Sequence, residues 1–129
     1  QSHQLLSVAS LLRETLALCV SDPDPRTRRR VIESMDARFD PFLCESRCVA
    51  LLAPALHDES LPARKAVVQI MGRLSQHNPA YVVPVLRKLL LQLLTELQYT
   101  SEVRQREDAT QMLSTMSLHA PNVMEPYFA

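Results

Sequence analysis

Arg26, Arg28, Arg29 and Arg30 stand almost side by side, and Arg38 follows a turn or two later; this is the one dense basic cluster in the chain. A guanidinium fork matches the geometry of phosphate and carboxylate groups. Three readings of such a cluster compete: a solvated helix face, an acidic protein partner, and nucleic acid or phosphate. No aromatic residue is interleaved, Glu33 and Asp36 share the segment, and Asp22 and Asp24 adjoin it. The solvated face comes first, with Arg26, Arg29, Arg30 and Arg38 as candidate contacts for a protein partner, and nucleic acid comes last. The global charge agrees, because 14 Lys plus Arg balance 14 Asp plus Glu and leave no net field to recruit a polyanion or an anionic lipid.

Other chemistry is thin. Cys44 and Cys48 stand four apart, a spacing that seats two metal ligands on one helix, but His57 is the nearest third candidate and lies too far along, and there is no fourth. The pair reads as small buried hydrophobes, with no metal and no cofactor. Three cysteines, an odd count without CxxC spacing, do not make a disulfide framework and fit a reducing compartment. His77 and His119 sit near helix ends, where a cation meets the dipole, and neither has a catalytic companion. The chain has one glycine, Gly72, so no Gly-rich phosphate loop can form, and no HRD, DFG, GxSxG or HExxH string occurs. Asp58 and Glu59 are turn carboxylates. The segment carries no active site of its own.

The spacing of these residues comes from a repeated template. Laying Arg64 on Arg106 also lays Gln69 on Gln111, Ser75 on Ser117, His77 on His119, Pro79 on Pro121 and Pro84 on Pro126. Laying Asp22 on Asp58 lays Arg28 on Arg64, Val31 on Val67 and Met35 on Met71. A period of roughly forty residues in an all-helical pattern belongs to helical hairpins, which bury their apolar faces by stacking on one another. The expected fold is an all-α solenoid of about three antiparallel helix pairs plus the start of a fourth, with repeats at about 5–39, 42–77 and 79–119 and 121–129 opening the next. Asp22, Arg28, Asp58, Arg64, Gly72, Pro79, Arg106 and Pro121 are the structural positions of the template.

Apolar periodicity places the helices. Leu5 to Val20 carries Leu5, Val8, Leu12 and Leu16 on one face. Asp24 caps and Pro25 opens a second helix to about Phe39, burying Val31, Met35 and Phe39, and Asp40-Pro41 ends it. A third covers about Glu45 to His57 with Cys48, Leu51, Leu52 and Leu56 inward and a bend at Pro54. Asp58, Glu59 and Ser60 make a turn in which Asp58 caps orphan amides or pairs with an Arg of the neighbouring repeat. Leu61 to Gln76 follows, striped by Val67, Ile70, Met71 and Leu74. Asn78 caps Pro79 to Tyr99, whose apolar surface is wide enough to be packed on two sides. Glu102 to His119 buries Ala109, Met112, Leu113 and Met116. Gly72 in mid-helix, where it costs about 1 kcal/mol relative to Ala, points to a close helix crossing. The run around Leu89 to Leu91 is broken by Arg87, Lys88, Gln92 and Glu96 and is no membrane span. Both ends read as cuts through a longer polypeptide, which leaves apolar faces at Leu5, Val8 and Leu12 and at Val123, Tyr127 and Phe128 for neighbouring repeats to cover.

Particular strings go beyond this generic pattern. Ser21-Asp22-Pro23-Asp24-Pro25, Asp36-Ala37-Arg38-Phe39-Asp40, Gly72-Arg73-Leu74-Ser75, Asn78-Pro79-Ala80-Tyr81-Val82, Leu86-Arg87-Lys88 and Gln92-Leu93-Leu94-Thr95-Glu96-Leu97 resemble the N-terminal HEAT-repeat region of the target-of-rapamycin (TOR) kinases. The resemblance spans nearly the whole chain and is strongest from Asp58 to Leu97; it departs at Cys44-Glu45-Ser46-Arg47-Cys48 and thins after Arg106, as in a divergent member. It implies a HEAT-repeat, armadillo-type solenoid in a serine/threonine kinase of the phosphatidylinositol-kinase-related type, the catalytic domain lying far toward the C-terminus. It also implies a scaffold role in nutrient and growth signalling: contacts with a raptor-type subunit, with the chain's own neighbouring repeats and within a homodimer of the parent, in the cytoplasm and at the lysosomal or vacuolar membrane through a complex. The competing reading is a HEAT adaptor of another kind, a transport receptor or cytoskeletal binding module. Tubulin-binding HEAT domains resemble one another in an exposed loop Trp, and this chain has no Trp.

Overall fold

Short polar side chains and prolines mark several of the helix ends here. The structure, a computed structural model, describes the backbone of residues 2–128 and the side chains of residues 8–127. Helix α1, Ser2–Ser21, buries Leu12, Leu16 and Cys19 and leaves Val8 half-buried; the Leu5 side chain falls outside the described residues. The Ser21 hydroxyl donates back to the carbonyls of Ala17 and Leu18, and Pro23 prevents continuation. Asp24 then caps α2, Pro25–Ser34, accepting the Arg26 N–H at 2.9 Å with Pro25 in the first turn.

Helix α2 is shorter than the apolar spacing suggests. The Ser34 hydroxyl donates to the Val31 carbonyl, Met35 leaves helical geometry at ψ 77°, and Asp36 accepts the Arg38 N–H to start a separate 3₁₀ turn, Ala37–Phe39. With the helix broken there, Val31, Met35 and Phe39 no longer share a face. Ile32 and Met35 are buried instead, and Val31 and Phe39 are half-buried. Asp40-Pro41 does not terminate an element either: Asp40 is helical, at φ −54° and ψ −40°, and opens the one-turn helix α3, Asp40–Leu43. A tertiary contact overrides the usual restriction on the residue before proline. Asp40 is 3% exposed, and the Arg73 guanidinium grips both of its oxygens at 3.0–3.2 Å while donating a further bond to the Met35 carbonyl at 2.7 Å.

Helix α4, Ser46–Leu52, passes directly into a 3₁₀ turn, Ala53–His57. The bend expected at Pro54 takes the form of this tightening, because the proline cannot donate the next α-helical bond. Cys48, Val49, Leu52 and Leu56 face inward, and Leu51 is half-buried. Ser60 rather than Asp58 caps α5, Leu61–His77, which buries Val67, Ile70, Met71 and Leu74. Asn78 makes no cap for α6, Pro79–Tyr99; its amide donates to the Cys44 carbonyl at 2.7 Å and ties the start of α6 to the end of α3. Helix α7, Val103–His119, buries Ala109, Met112 and Met116 and leaves Leu113 half-buried. Helix α8, Pro121–Phe128, already buries Val123 and Met124; Tyr127 is exposed and the Phe128 side chain lies outside the described residues.

These elements stack in two rows. In one, α1 packs on α4, α4 on α6 and α6 on α8; in the other, α2 packs on α5 and α5 on α7. Cross-contacts α1 to α2, the α3 and 3₁₀ segment to α5, and α6 to α7 join the rows into hairpins. One continuous apolar core runs from Leu12 to Met124 between them. Among the described residues there is no strand. The chain is an all-α solenoid, and α6, touching α4, α5, α7 and α8, is covered on more sides than the two its apolar surface suggests.

Helix α5 lies close against the end of α7. A Cβ built on Gly72 would stand 2.8 Å from the carbonyl carbon of His119 and nearer still to its oxygen, and that obstacle is backbone. Gly72→Ala should therefore destabilise the protein by about 2 kcal/mol through overpacking, reversing the gain of about 1 kcal/mol that helix propensity alone would give. Equilibrium urea unfolding reads the sign directly. Asp40→Ala, which strands the Arg73 guanidinium, should cost about 3 kcal/mol in the same assay.

Candidate functional site

The template Arg residues line the joints between repeats. Each of three turns has the same construction: a side-chain oxygen accepts the backbone N–H two residues on, Asp22 from Asp24 at 2.8 Å, Asp58 from Ser60 at 2.9 Å and Thr100 from Glu102 at 3.3 Å. In the first helical turn that follows come Arg28, Arg64 and Arg106. Arg28 donates through Nη1 to the Asp22 carbonyl of its own turn at 2.7 Å, and Arg106 does the same to the Thr100 carbonyl at 3.3 Å and to that of Leu97 at 2.8 Å.

Arg28 also reaches forward. Its Nε donates to Asp58 Oδ2 at 2.8 Å and its Nη2 to Asp58 Oδ1 at 3.3 Å and Glu59 Oε1 at 3.2 Å. The two principal partners are 12% and 6% exposed, so the pair is largely withdrawn from water. Burial pushes the Asp58 carboxyl up, but the Arg28 hydrogen bond, the Ser60 N–H and the charges of Arg28 and Arg64 outweigh it and hold the group below the ordinary carboxylate range.

Arg64 meets different company. Superposing the template puts Thr100 where Asp58 stands, so at that position the next turn offers a hydroxyl instead of a carboxylate. Arg64 takes a single bond, Nη2 to Asp108 Oδ2 at 3.3 Å, from one turn farther into α7, and its buried Nε has no acceptor. A cleft of about 270 Å³ opens there, lined by Arg64, Glu96, Gln105 and Asp108 over a floor of Leu93 and Met112.

The basic cluster does not act as a unit. Arg28 turns into the joint, Arg29 pairs with Glu33 at 2.7 Å one helical turn on, and Arg38 forks onto Asp36 at 2.8 Å with its guanidinium over the Phe39 ring. Arg26 and Arg30 are exposed with no carboxylate within ion-pair distance among the described residues. Cys44 and Cys48 do not share a helix: Cys44 follows α3 and its thiol points at the Pro41 carbonyl, while Cys48 is buried in α4. Burial pushes the Cys48 and Cys19 thiols up, away from thiolate character. Among the described residues no three His, Cys, Asp or Glu side chains gather as metal ligands. His77 and His119 end α5 and α7, and His77 Nε2 lies 4.0 Å from Asp40 Oδ2. Pro79 and Pro121 open α6 and α8 after matching residues, Asn78 and Ala120, whose N–H groups reach back to Leu74 at 2.9 Å and Met116 at 2.7 Å.

Sequence reasoning missed two features. The Asp40–Arg73 pair was hidden because its halves lie in separate helices with no shared template position. Leu11 and Leu18, 62% and 73% exposed, form a second apolar line on α1, one that a spacing of two turns beside Leu12 and Cys19 could have signalled.

Helix pairs stacked in rows, punctuated by an Asp turn and an Arg that bridges to the next turn, define a helical repeat protein, and the family model for HEAT repeats matches residues 12–114. The chain belongs to the HEAT-repeat family. It is 38% identical over 121 residues, 94% of this chain and 5% of that protein, to the serine/threonine-protein kinase tor1 of Schizosaccharomyces pombe. Identity to the serine/threonine-protein kinase TOR2 of Saccharomyces cerevisiae is 37% over 125 residues, 97% of this chain and 5% of that protein. The Drosophila melanogaster serine/threonine-protein kinase mTor matches at 32% over 121 residues, 94% of this chain and 5% of its own length. The chain thus spans about a twentieth of each of these kinases, and the stretch it matches is a HEAT-repeat segment. Among the described residues no helix is long and apolar enough to cross a membrane.

Asp58 gives this arrangement a pH signature. A carboxyl held below its unfolded pKa of about 3.9 adds stability that is present above that value and lost as pH falls through the lower folded one. Asp58→Asn should cost about 2 kcal/mol at neutral pH and flatten the loss of stability on acidification below about pH 4. Thermal unfolding from pH 7 down to 2.5 checks both; a variant curve parallel to the wild type would exclude Asp58 as the source.

Proposed function

We propose that this chain is a non-catalytic scaffold segment of a TOR-like protein kinase and works by contact. The observation that carries this reading is the division of its cations. Arg28, Arg64 and Arg73 are turned inward to hold repeats together, whereas Arg26 and Arg30 stay outward on α2 without a carboxylate of their own. An exposed cation without an internal partner stabilises the fold little and is available to an acidic surface, where it acts mainly on encounter rate and register. Stacked repeats present such residues along an extended ridge, and the similarity to TOR kinases over nearly the whole chain supplies the setting.

In that setting the outer faces meet a raptor-type subunit and a second copy of the parent, the flanking repeats continue the stack, and the parent's kinase activity resides elsewhere in a longer polypeptide. The parent works in nutrient and growth signalling in the cytoplasm, reaching the lysosomal or vacuolar membrane through its complex. Arg29 and Arg38, already paired with Glu33 and Asp36, contribute less to the contact than Arg26 and Arg30.

Reversing Arg26→Glu and Arg30→Glu together in the full-length protein should weaken association with the raptor-type subunit about tenfold and blunt its salt dependence, with thermal unfolding unchanged. Affinity and salt slope equal to the wild type would remove α2 from the interface.

A further inference from the structure

At the template position where its predecessor has Asp58, the joint between the second and third hairpins has Thr100. We propose that Thr100 is a phosphorylation site, and that phosphothreonine there supplies the acceptor that Arg64 Nε lacks, tightening α7 onto α5.

Three observations converge on this residue. Thr100 occupies the template position of Asp58 and performs half of its task, its hydroxyl accepting the Glu102 N–H as Asp58 accepts that of Ser60. The missing half is the forward contact: Arg28 Nε finds Asp58 at 2.8 Å, whereas Arg64 Nε is buried without a partner. Gln105 links the two: the Thr100 hydroxyl donates to Gln105 Oε1 at 2.8 Å, and Gln105 lines the cleft beside Arg64 and Asp108. The loop is open to a modifying enzyme: Thr100 has extended backbone at φ −82° and ψ 141°, is only half-buried, and is followed by exposed Ser101 and Glu102.

The chemistry is a transfer from ATP by a protein kinase. The γ-phosphoryl group forms a bond to Thr100 Oγ1 as its bond to ADP breaks, and the hydroxyl proton leaves through the transferring enzyme's base. The product carries nearly two negative charges and three strong acceptor oxygens. Glu96, Glu102 and Asp108 oppose that charge; Arg64 and Arg106, the latter already on the Thr100 carbonyl, favour it. Charge-assisted bonds to a guanidinium fork outlast such repulsion when one donor is buried and otherwise unpaired. Asp108, bound at 3.3 Å by one nitrogen, is the weaker competitor.

The test uses the full-length protein with phosphothreonine genetically encoded at position 100. Backbone amides at the start of α7 should exchange with deuterium about tenfold more slowly than in the unmodified protein. That protection should be absent in an Arg64→Gln background and reduced in Arg64→Lys, which keeps the charge but not the Nε donor. Unchanged or faster exchange, or equal protection with and without Arg64, would overturn the proposal. Site-resolved mass spectrometry of protein from its own cells under phosphatase inhibition should find phosphate on Thr100; phosphate confined to Ser101, or none, would overturn it as well.

Discussion

A guanidinium between two repeats has five donors to satisfy, and no single turn offers enough acceptors. Arg28 resolves this by taking a backbone carbonyl from its own turn, at Asp22, and a carboxylate from the next, at Asp58. The order of that arrangement matters. The Asp22 turn must close before its carbonyl points at Arg28, and the second repeat must be seated before Asp58 arrives, so local capping and tertiary stacking are made to agree. Apolar burial supplies the larger share of stability, since residues such as Leu16, Leu52 and Met71 have no contact with water. Burial is indifferent to sliding by one turn, however, and the arginine bridge is not.

A second constraint sits at the opposite ends of the hairpins. Asn78 and Ala120 adopt nearly the same backbone, φ −144°, ψ 67° and φ −137°, ψ 55°, although their side chains are unlike. The proline that follows each disfavours a helical predecessor, and the shared break in helical geometry before Pro79 and Pro121 is where one hairpin leaves the previous one. Asn78 can then use its amide for the Cys44 carbonyl rather than for a cap. Arg28, Arg64, Arg73 and Asn78 all reach across to distant segments.

That habit marks the boundary of what can be read from residue order. The helices Pro79–Tyr99 and Leu61–His77, with Val67, Ile70, Met71 and Leu74 buried, follow from apolar period and proline placement, as do the two-row stack and its family. Where an ion pair between distant segments decides the backbone, period fails. Arg73 draws Asp40 into a helical turn, so α2 ends at Ser34 and Ile32 faces inward. The arginine cluster was legible as a cluster, but its division into Arg28 inside, Arg29 and Arg38 self-paired, and Arg26 and Arg30 outside depends on which direction each side chain leaves the helix. Thr100 went unnoticed because a substituted template position shows itself only when the Nε of Arg64, in the preceding repeat, is seen without an acceptor.

The chain has its lone glycine at the crossing of α5 and α7, where a methyl group would strike the His119 carbonyl. A backbone seated this close cannot creep along its neighbour, since every other residue on α5 carries a side chain that would collide on the way. The second row of helices is thereby indexed at this one crossing, between α5 and α7. Force passed across that crossing must tilt the two hairpins against each other, because slippage there is blocked by backbone.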